Sequence, residues 1–121
     1  MSYIISDGQT TIWNVVFYPP SGKKHSPLNE IEGISSPSEK ALIYRRLDTM
    51  SQLRTWEWSP YWVKKIGDIY QMKADNYRVY FGLTGNTMVV CHICRKTSTK
   101  AKSSDLDRAR TNLEDYKKGI A

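Results

Sequence analysis

The stretch CHICRKTSTK, residues 91 to 100, sets two cysteines around a histidine and follows them with cations. Two chemistries suit these residue types. Thiolates with an imidazole can bind zinc or cycle as a dithiol, whereas arginine and lysine beside a histidine suit a phosphodiester. A metal site needs three or four ligands converging on one point, with sulfur about 2.3 Å from zinc. The chain offers Cys91, Cys94, His92 and a distant His25, with no second Cys or His pair. Side chains alternate along a strand, so Cys91 and Cys94 are predicted on opposite faces, sharing neither a metal nor a disulfide. A redox pair would sit at a helix start, where the dipole lowers a thiol pKa, and this pair does not. The cysteines therefore read as reduced, small apolar fillers, His25 as an exposed loop residue, and no metal or cofactor is expected.

The cations remain, and alternation sorts them. Lys73 ends one strand on the face opposite Tyr70 and Met72. In the next strand Tyr77, Val79, Phe81 and Leu83 form an apolar set, leaving Arg78 and Tyr80 on the other side. In the last strand Val89, Cys91 and Ile93 are predicted on one face, and Val90, His92 and Cys94 on the other. Lys73, Arg78, Tyr80 and His92 are thus expected to line one open face, with Arg95 and Lys96 at its rim. The cluster contains no carboxylate pair, which argues against glycosidase or protease chemistry and for binding a phosphodiester.

Charge distribution agrees. Between Arg54 and Lys102 there are nine Lys or Arg residues against three acids, so that segment carries the whole net charge of +6. A polyanionic partner fits this concentration, and a solvated basic surface kept for solubility is the alternative.

These residues need elements to position them. TTIWNVVFY, residues 10–18, is rich in β-branched and aromatic residues and stops at Pro19-Pro20, so a strand is predicted. Residues 19–35 carry Pro, Gly and Ser without a helical period and read as a long loop. Ser36, Pro37 and Glu39 then form a Ser-x-x-Glu capping box, followed by Leu42, Ile43, Leu47, Met50 and Leu53 at helical spacing. SPYWVKKIG, from Ser59 to Gly67, repeats the Ser-Pro start and reads as a short second helix, with Trp56, Trp58 and Trp62 covering a small core. DIYQMKA, YRVYFGLT and TMVVCHICRK form three strands with tight turns at "DN" and at Thr84-Gly85-Asn86. The tail returns to helix, with Ser104 as cap, Asp107 three residues on, and Leu106, Ala109, Leu113, Tyr116 and Ile120 on one stripe. The sum is an α+β single domain over residues 1–121: a small antiparallel sheet, formed by the N-terminal strand and a three-stranded meander, with two N-terminal helices and a C-terminal helix.

A chain of 121 residues suits one modest core. The sequence shows no apolar run of membrane-spanning length and no basic-then-apolar start, so a cytoplasmic location without membrane contact is expected.

IYQMKADNYRVYF and MVVCHICRKTSTKAKSSDLDRAR together resemble the RelE/HigB toxins of bacterial toxin–antitoxin systems, within them the phage-derived Gp49-like branch. The pattern there is a Tyr-x-x-Arg/Lys strand, a Tyr-Arg strand, an apolar strand ending in a basic pair, and a helix with an early Ala. The likeness covers about residues 60–118. It implies a RelE-like fold and a metal-independent endoribonuclease that enters the ribosomal A site, cuts mRNA and is neutralised by a cognate antitoxin. On that pattern Lys73 takes the basic position ending its strand, Arg78 the arginine after Tyr77, and Arg95 and Lys96 the basic pair. His92 takes the place of a catalytic histidine in some relatives. Lys64, Lys65 and Lys100 add cations for the RNA backbone, and Tyr70 or Tyr80 is expected to stack on an unpaired base. The 19–35 loop is longer than the pattern, and CHIC replaces a more aromatic strand end. A binding module that holds nucleic acid without cutting it, or a degenerate toxin that only binds its antitoxin, is the alternative reading.

Overall fold

Local signals around Ser36 build the main helix. In the computed structural model, which describes residues 2–3, 11–96 and 102–119, the Ser36 side chain accepts from the Glu39 backbone N–H at 3.3 Å. That bond satisfies one orphan donor of the helix start, and Pro37 fits the first turn because it has no N–H to lose. The helix runs over Pro37–Ser51 and buries Ile43, Leu47 and Met50 on one stripe. A shorter helix, Pro27–Glu32, precedes it. In chain order these are α2 and α1.

The strands are β1 (Ser2–Tyr3), β2 (Asn14–Phe17), β3 (Val63–Ile66), β4 (Ile69–Ala74), β5 (Tyr77–Thr84) and β6 (Thr87–Arg95), followed by α3 (Ser103–Lys117). They form one sheet in the order β1-β2-β6-β5-β4-β3. The α+β class agrees with the sequence reading, and three details depart from it. First, the sheet is mixed, because β2 pairs in parallel with β6. A parallel pair needs a long crossover, and the helices and meander between the two strands supply one. Second, Val63–Ile66 is a strand rather than a second helix. Gly67 (φ +65) makes the tight turn that returns the chain as β4, so Val63 pairs with Met72 and Lys64 with Gln71. Third, the additional N-terminal helix lies inside the expected 19–35 loop, where Pro27 starts it and Ile31 anchors it in the core.

Two apolar clusters form, one on each face of the sheet. The larger lies on the α2 side and includes Phe17, Ile43, Leu47, Met50, Trp58, Met72, Val79, Phe81, Val90 and Ile93. Of the three tryptophans expected to cover a core, Trp58 is buried and Trp62 is packed partly against this cluster, whereas Trp56 is 78% exposed. The smaller cluster lies under α3 and joins Ile69, Tyr80, Val89 and Cys91 to Ala109 and Leu113. The predicted helix stripe therefore packs on the sheet, with Leu106 and Tyr116 beside it and Ile120 outside the described residues. α3 begins one residue before the predicted Ser104 cap: its cap position is Lys102, with no side-chain cap bond.

The seat of α3 is tight at one glycine. A Cβ on Gly82 would come 2.3 Å from Leu113 Cδ2 and 2.7 Å from its Cδ1. Gly82→Ala is expected to lower the unfolding free energy by about 1–3 kcal/mol through overpacking. A urea double-mutant cycle with Leu113→Ala should show the two losses to be less than additive, since the shorter side chain removes the clash.

Candidate functional site

Register places the site. On the α3 face, Lys73 of β4, Arg78 of β5 and Cys94 of β6 are cross-strand partners in one row. Lys64, Gln71, Tyr80 and His92 form the next row across β3 to β6. Part of this face is an open cleft of about 230 Å³, lined by Tyr61, Trp62, Lys64, Gln71, Lys73, Arg78 and Lys96, with Pro60 and Val63. Among the described residues, four cations and no carboxylate line it.

Backbone contacts position two of those cations. Arg78 donates from one guanidinium nitrogen to the carbonyls of Asp75 at 3.0 Å and Tyr77 at 2.9 Å. Its remaining donors are geometrically suited to the paired oxygens of a phosphate. Lys96 follows β6 and is held by its backbone N–H on the Asn76 carbonyl at 2.6 Å. The β4–β5 turn at Asp75-Asn76 thus positions two of the cleft's cations.

Behind the cleft the face becomes buried and polar. Gln71, 4% exposed, donates to the Tyr80 hydroxyl at 3.0 Å. The Tyr80 ring stacks on His92, with centroids 5.7 Å apart. His92 Nε2 meets Asp105 Oδ1 of the first turn of α3 at 2.9 Å. The Cys94 sulfur lies within 4.8 Å of both the His92 nitrogen and the Asp105 oxygen. A line of polar groups therefore runs from the cleft wall at Gln71 to the start of α3. Burial pushes the Tyr80 hydroxyl up to about 12, so it stays a neutral donor.

The cysteines depart from simple alternation. A bulge in β6 opposite Tyr80 and Phe81 makes Tyr80 pair with His92 but Phe81 with Val90, leaving Cys91 as the extra residue. Cys91 and His92 consequently both turn toward α3, and Cys91 and Cys94 share that face instead of opposing one another. Val90 and Ile93 share the α2 face, also against the predicted sets. The Cys91 carbonyl accepts from the Asn112 side chain of α3 at 2.8 Å. Both thiols are free.

Burial raises the thiol of Cys91 from the usual 9.0 to about 12 and that of Cys94 to about 11. Both are protonated in the fold while the unfolded chain ionises near 9. The stability they carry is full below pH 9 and is lost as pH rises through 11 to 12. Alkylation at pH 8 is expected to be slow on the native protein and to become fast on adding urea, read by mass spectrometry.

The predicted site residues divide as follows. Lys64, Lys73, Arg78 and Lys96 meet in the cleft. His92 stands on the same face behind it. Tyr80 is on that face too, but it is 1% exposed and has no ring face left for a base. Tyr70 lies on the α2 face, stacked on Phe81 at 5.2 Å, which removes it from base stacking. Lys65 lies over Tyr70 on that same face. Arg95 is not at the rim: it pairs with Tyr77 and packs over its ring at 5.6 Å, beside a separate hollow lined by Glu30, Ser35 and Ile93. Lys100 is outside the described residues.

Sequence reasoning missed Tyr61, Gln71 and Asp105. Tyr61 is 86% exposed and lines the cleft. Gln71 had a signal, since it shares the parity of Lys73; Asp105 had none, because only the packing of α3 brings it to His92. No helix among the described residues is long and apolar enough to cross a membrane.

A family model described as phage-derived protein Gp49-like matches residues 33–114, from the end of α1 through most of α3. The match spans the cleft, His92 and Asp105. No curated protein matches the chain.

Proposed function

The chain belongs to the Gp49-like family of phage-derived proteins, and from that premise we propose that it is the toxin of a type II toxin–antitoxin system. In this reading it is a metal-independent endoribonuclease of the cytoplasm that cuts mRNA at the ribosomal A site and is restrained by a cognate antitoxin. The observation that carries the reading is the cleft itself: Lys64, Lys73, Arg78 and Lys96 with Tyr61, and no carboxylate among the described residues that line it.

The ribose 2′-OH attacks the adjacent phosphorus, negative charge grows on the non-bridging oxygens, and the 5′-oxygen leaves with a proton. Arg78, held by two backbone carbonyls, stabilises that charge from a fixed position with Lys73 beside it, the largest contribution available to such a site. Lys64 and Lys96 hold the flanking phosphates. Tyr61 offers its exposed ring to an unpaired base. His92, oriented by Asp105, is the group suited to take the proton of the attacking 2′-OH and to supply one to the leaving 5′-oxygen. Tyr80 and Gln71 line the polar face between it and the cleft.

The test is a pulse of expression in a bacterial host, with growth followed and mRNA 5′ ends mapped on translated and untranslated copies of one message. Arrest with new ends on translated copies alone is expected. Normal growth and intact messages from soluble, folded protein would sink the reading and leave a binding module or degenerate toxin. Single-strand RNA affinity is expected to fall with log salt at a slope near −3, about 0.7 per phosphate for four neutralised phosphates. A slope near zero would remove the cleft as the RNA site.

A further inference from the structure

The β6 bulge and the first turn of α3 bring together a second set of chemical groups. One nitrogen of His92, the sulfur of Cys94 and one carboxylate oxygen of Asp105 all lie within 4.8 Å of one another. We infer that His92, Cys94 and Asp105 form a zinc site whose fourth position is open to water.

Ligand chemistry supports zinc over harder cations. Imidazole, thiolate and carboxylate together are a zinc donor set, whereas magnesium and calcium take oxygen. Binding requires a small rearrangement: the Cys94 sulfur, within 4.8 Å of the other two atoms, draws in by up to about 1.3 Å. Bonds of about 2.0 Å to nitrogen and oxygen and 2.3 Å to sulfur, at tetrahedral angles, set ligand atoms roughly 3.3–3.5 Å apart. The His92–Asp105 separation of 2.9 Å must open by a fraction of an ångström. The positions are anchored independently of any ion: His92 and Cys94 are two residues apart on a central strand, and Asp105 is on a helix seated by Leu113 against Gly82.

The cluster is largely withdrawn from solvent without being sealed: the His92 and Asp105 side chains are 14% and 21% exposed. Tyr80 stacks on the imidazole, so it supports that ligand from outside the coordination sphere. Gln71 orients the Tyr80 hydroxyl. Bound zinc would tie β6 to the start of α3 and withdraw His92 from proton transfer. The site stands on these contacts alone and does not depend on RNA cleavage.

The test uses the reduced full-length protein titrated with Co²⁺ and, separately, Zn²⁺. One equivalent of Co²⁺ is expected to give a thiolate-to-cobalt charge-transfer band with the visible bands of a four-coordinate ion. Cys94→Ser is expected to abolish the charge-transfer band, and Asp105→Asn to weaken Zn²⁺ binding at least tenfold, each in protein whose circular dichroism shows it folded. His25→Ala should leave both titrations unchanged. The absence of a cobalt band in folded wild-type protein, a band that survives Cys94→Ser, or loss of binding in His25→Ala would each overturn the site. Should Cys94→Ser not fold, Asp105→Asn alone decides: unchanged affinity refutes it.

Discussion

Arg78→Ala is expected to lower single-turnover cleavage of ribosome-bound mRNA by about 10²–10³-fold, the loss seen when one preorganised donor to a developing oxyanion is removed. Arg78 has the best claim to that role among the cleft's cations, because two backbone carbonyls already hold its guanidinium. A flexible lysine must first be ordered. Arg78→Lys should therefore recover only part of the rate, since an ammonium supplies a point charge without the planar fork. The structural effect is small by comparison: losing hydrogen bonds to partly exposed carbonyls costs about 1 kcal/mol, too little to unfold a domain. Arg95→Ala provides the contrast. Arg95 lies against Tyr77 on the other face of the sheet, so its loss is expected to leave the rate within a few-fold of wild type. Equal losses in the two variants, or a normal rate in Arg78→Ala, would remove the cleft as the reaction centre.

The sequence was legible wherever a local rule decides the outcome. The Ser36 cap and the helical period behind it depend on neighbours a few residues away, and α2 follows them. The parity of β4 and β5 likewise placed Lys73 beside Arg78. Where the outcome depends on distant packing, the reading failed. Nothing near Cys91 announces a bulge; the extra residue is accommodated because Asn112, twenty-one positions away, takes its carbonyl. That one residue decides which groups share the α3 face, and it is why the two cysteines looked opposed. The Ser-Pro start at Ser59 favours a helix locally, yet Val63–Ile66 pairs with β4 because the turn at Gly67 offers a partner strand. Tyr61 became visible as a cleft residue only after that pairing was known. Nearness to Lys96 in sequence suggests a place for Arg95 at the rim, but successive strand residues point to opposite faces.

The largest stability loss is expected at Trp58. Its indole is 6% exposed and meets Tyr70 and Phe81 edge-on at 5.5 and 5.6 Å, with Trp13 at 6.1 Å. Its N–H donates to the Met50 carbonyl at 2.9 Å, which satisfies a group in the last turn of α2. One side chain thus joins the end of the main helix to the central strands. Trp58→Ala is expected to cost about 3–5 kcal/mol, a large share of the 5–15 kcal/mol that holds a typical domain together. Trp58→Phe keeps most of the ring contacts and removes the donor, so it should lose clearly less. Urea unfolding of the two variants separates packing from the hydrogen bond, and a Trp58→Ala loss below about 1 kcal/mol would mean that this aromatic cluster does not hold α2 to the sheet. The consequence reaches the cleft, because Met72 of this core is the strand neighbour of Lys73 and Val79 that of Arg78. A Trp58→Ala protein that remains folded should therefore bind RNA more weakly without any cleft residue having been changed.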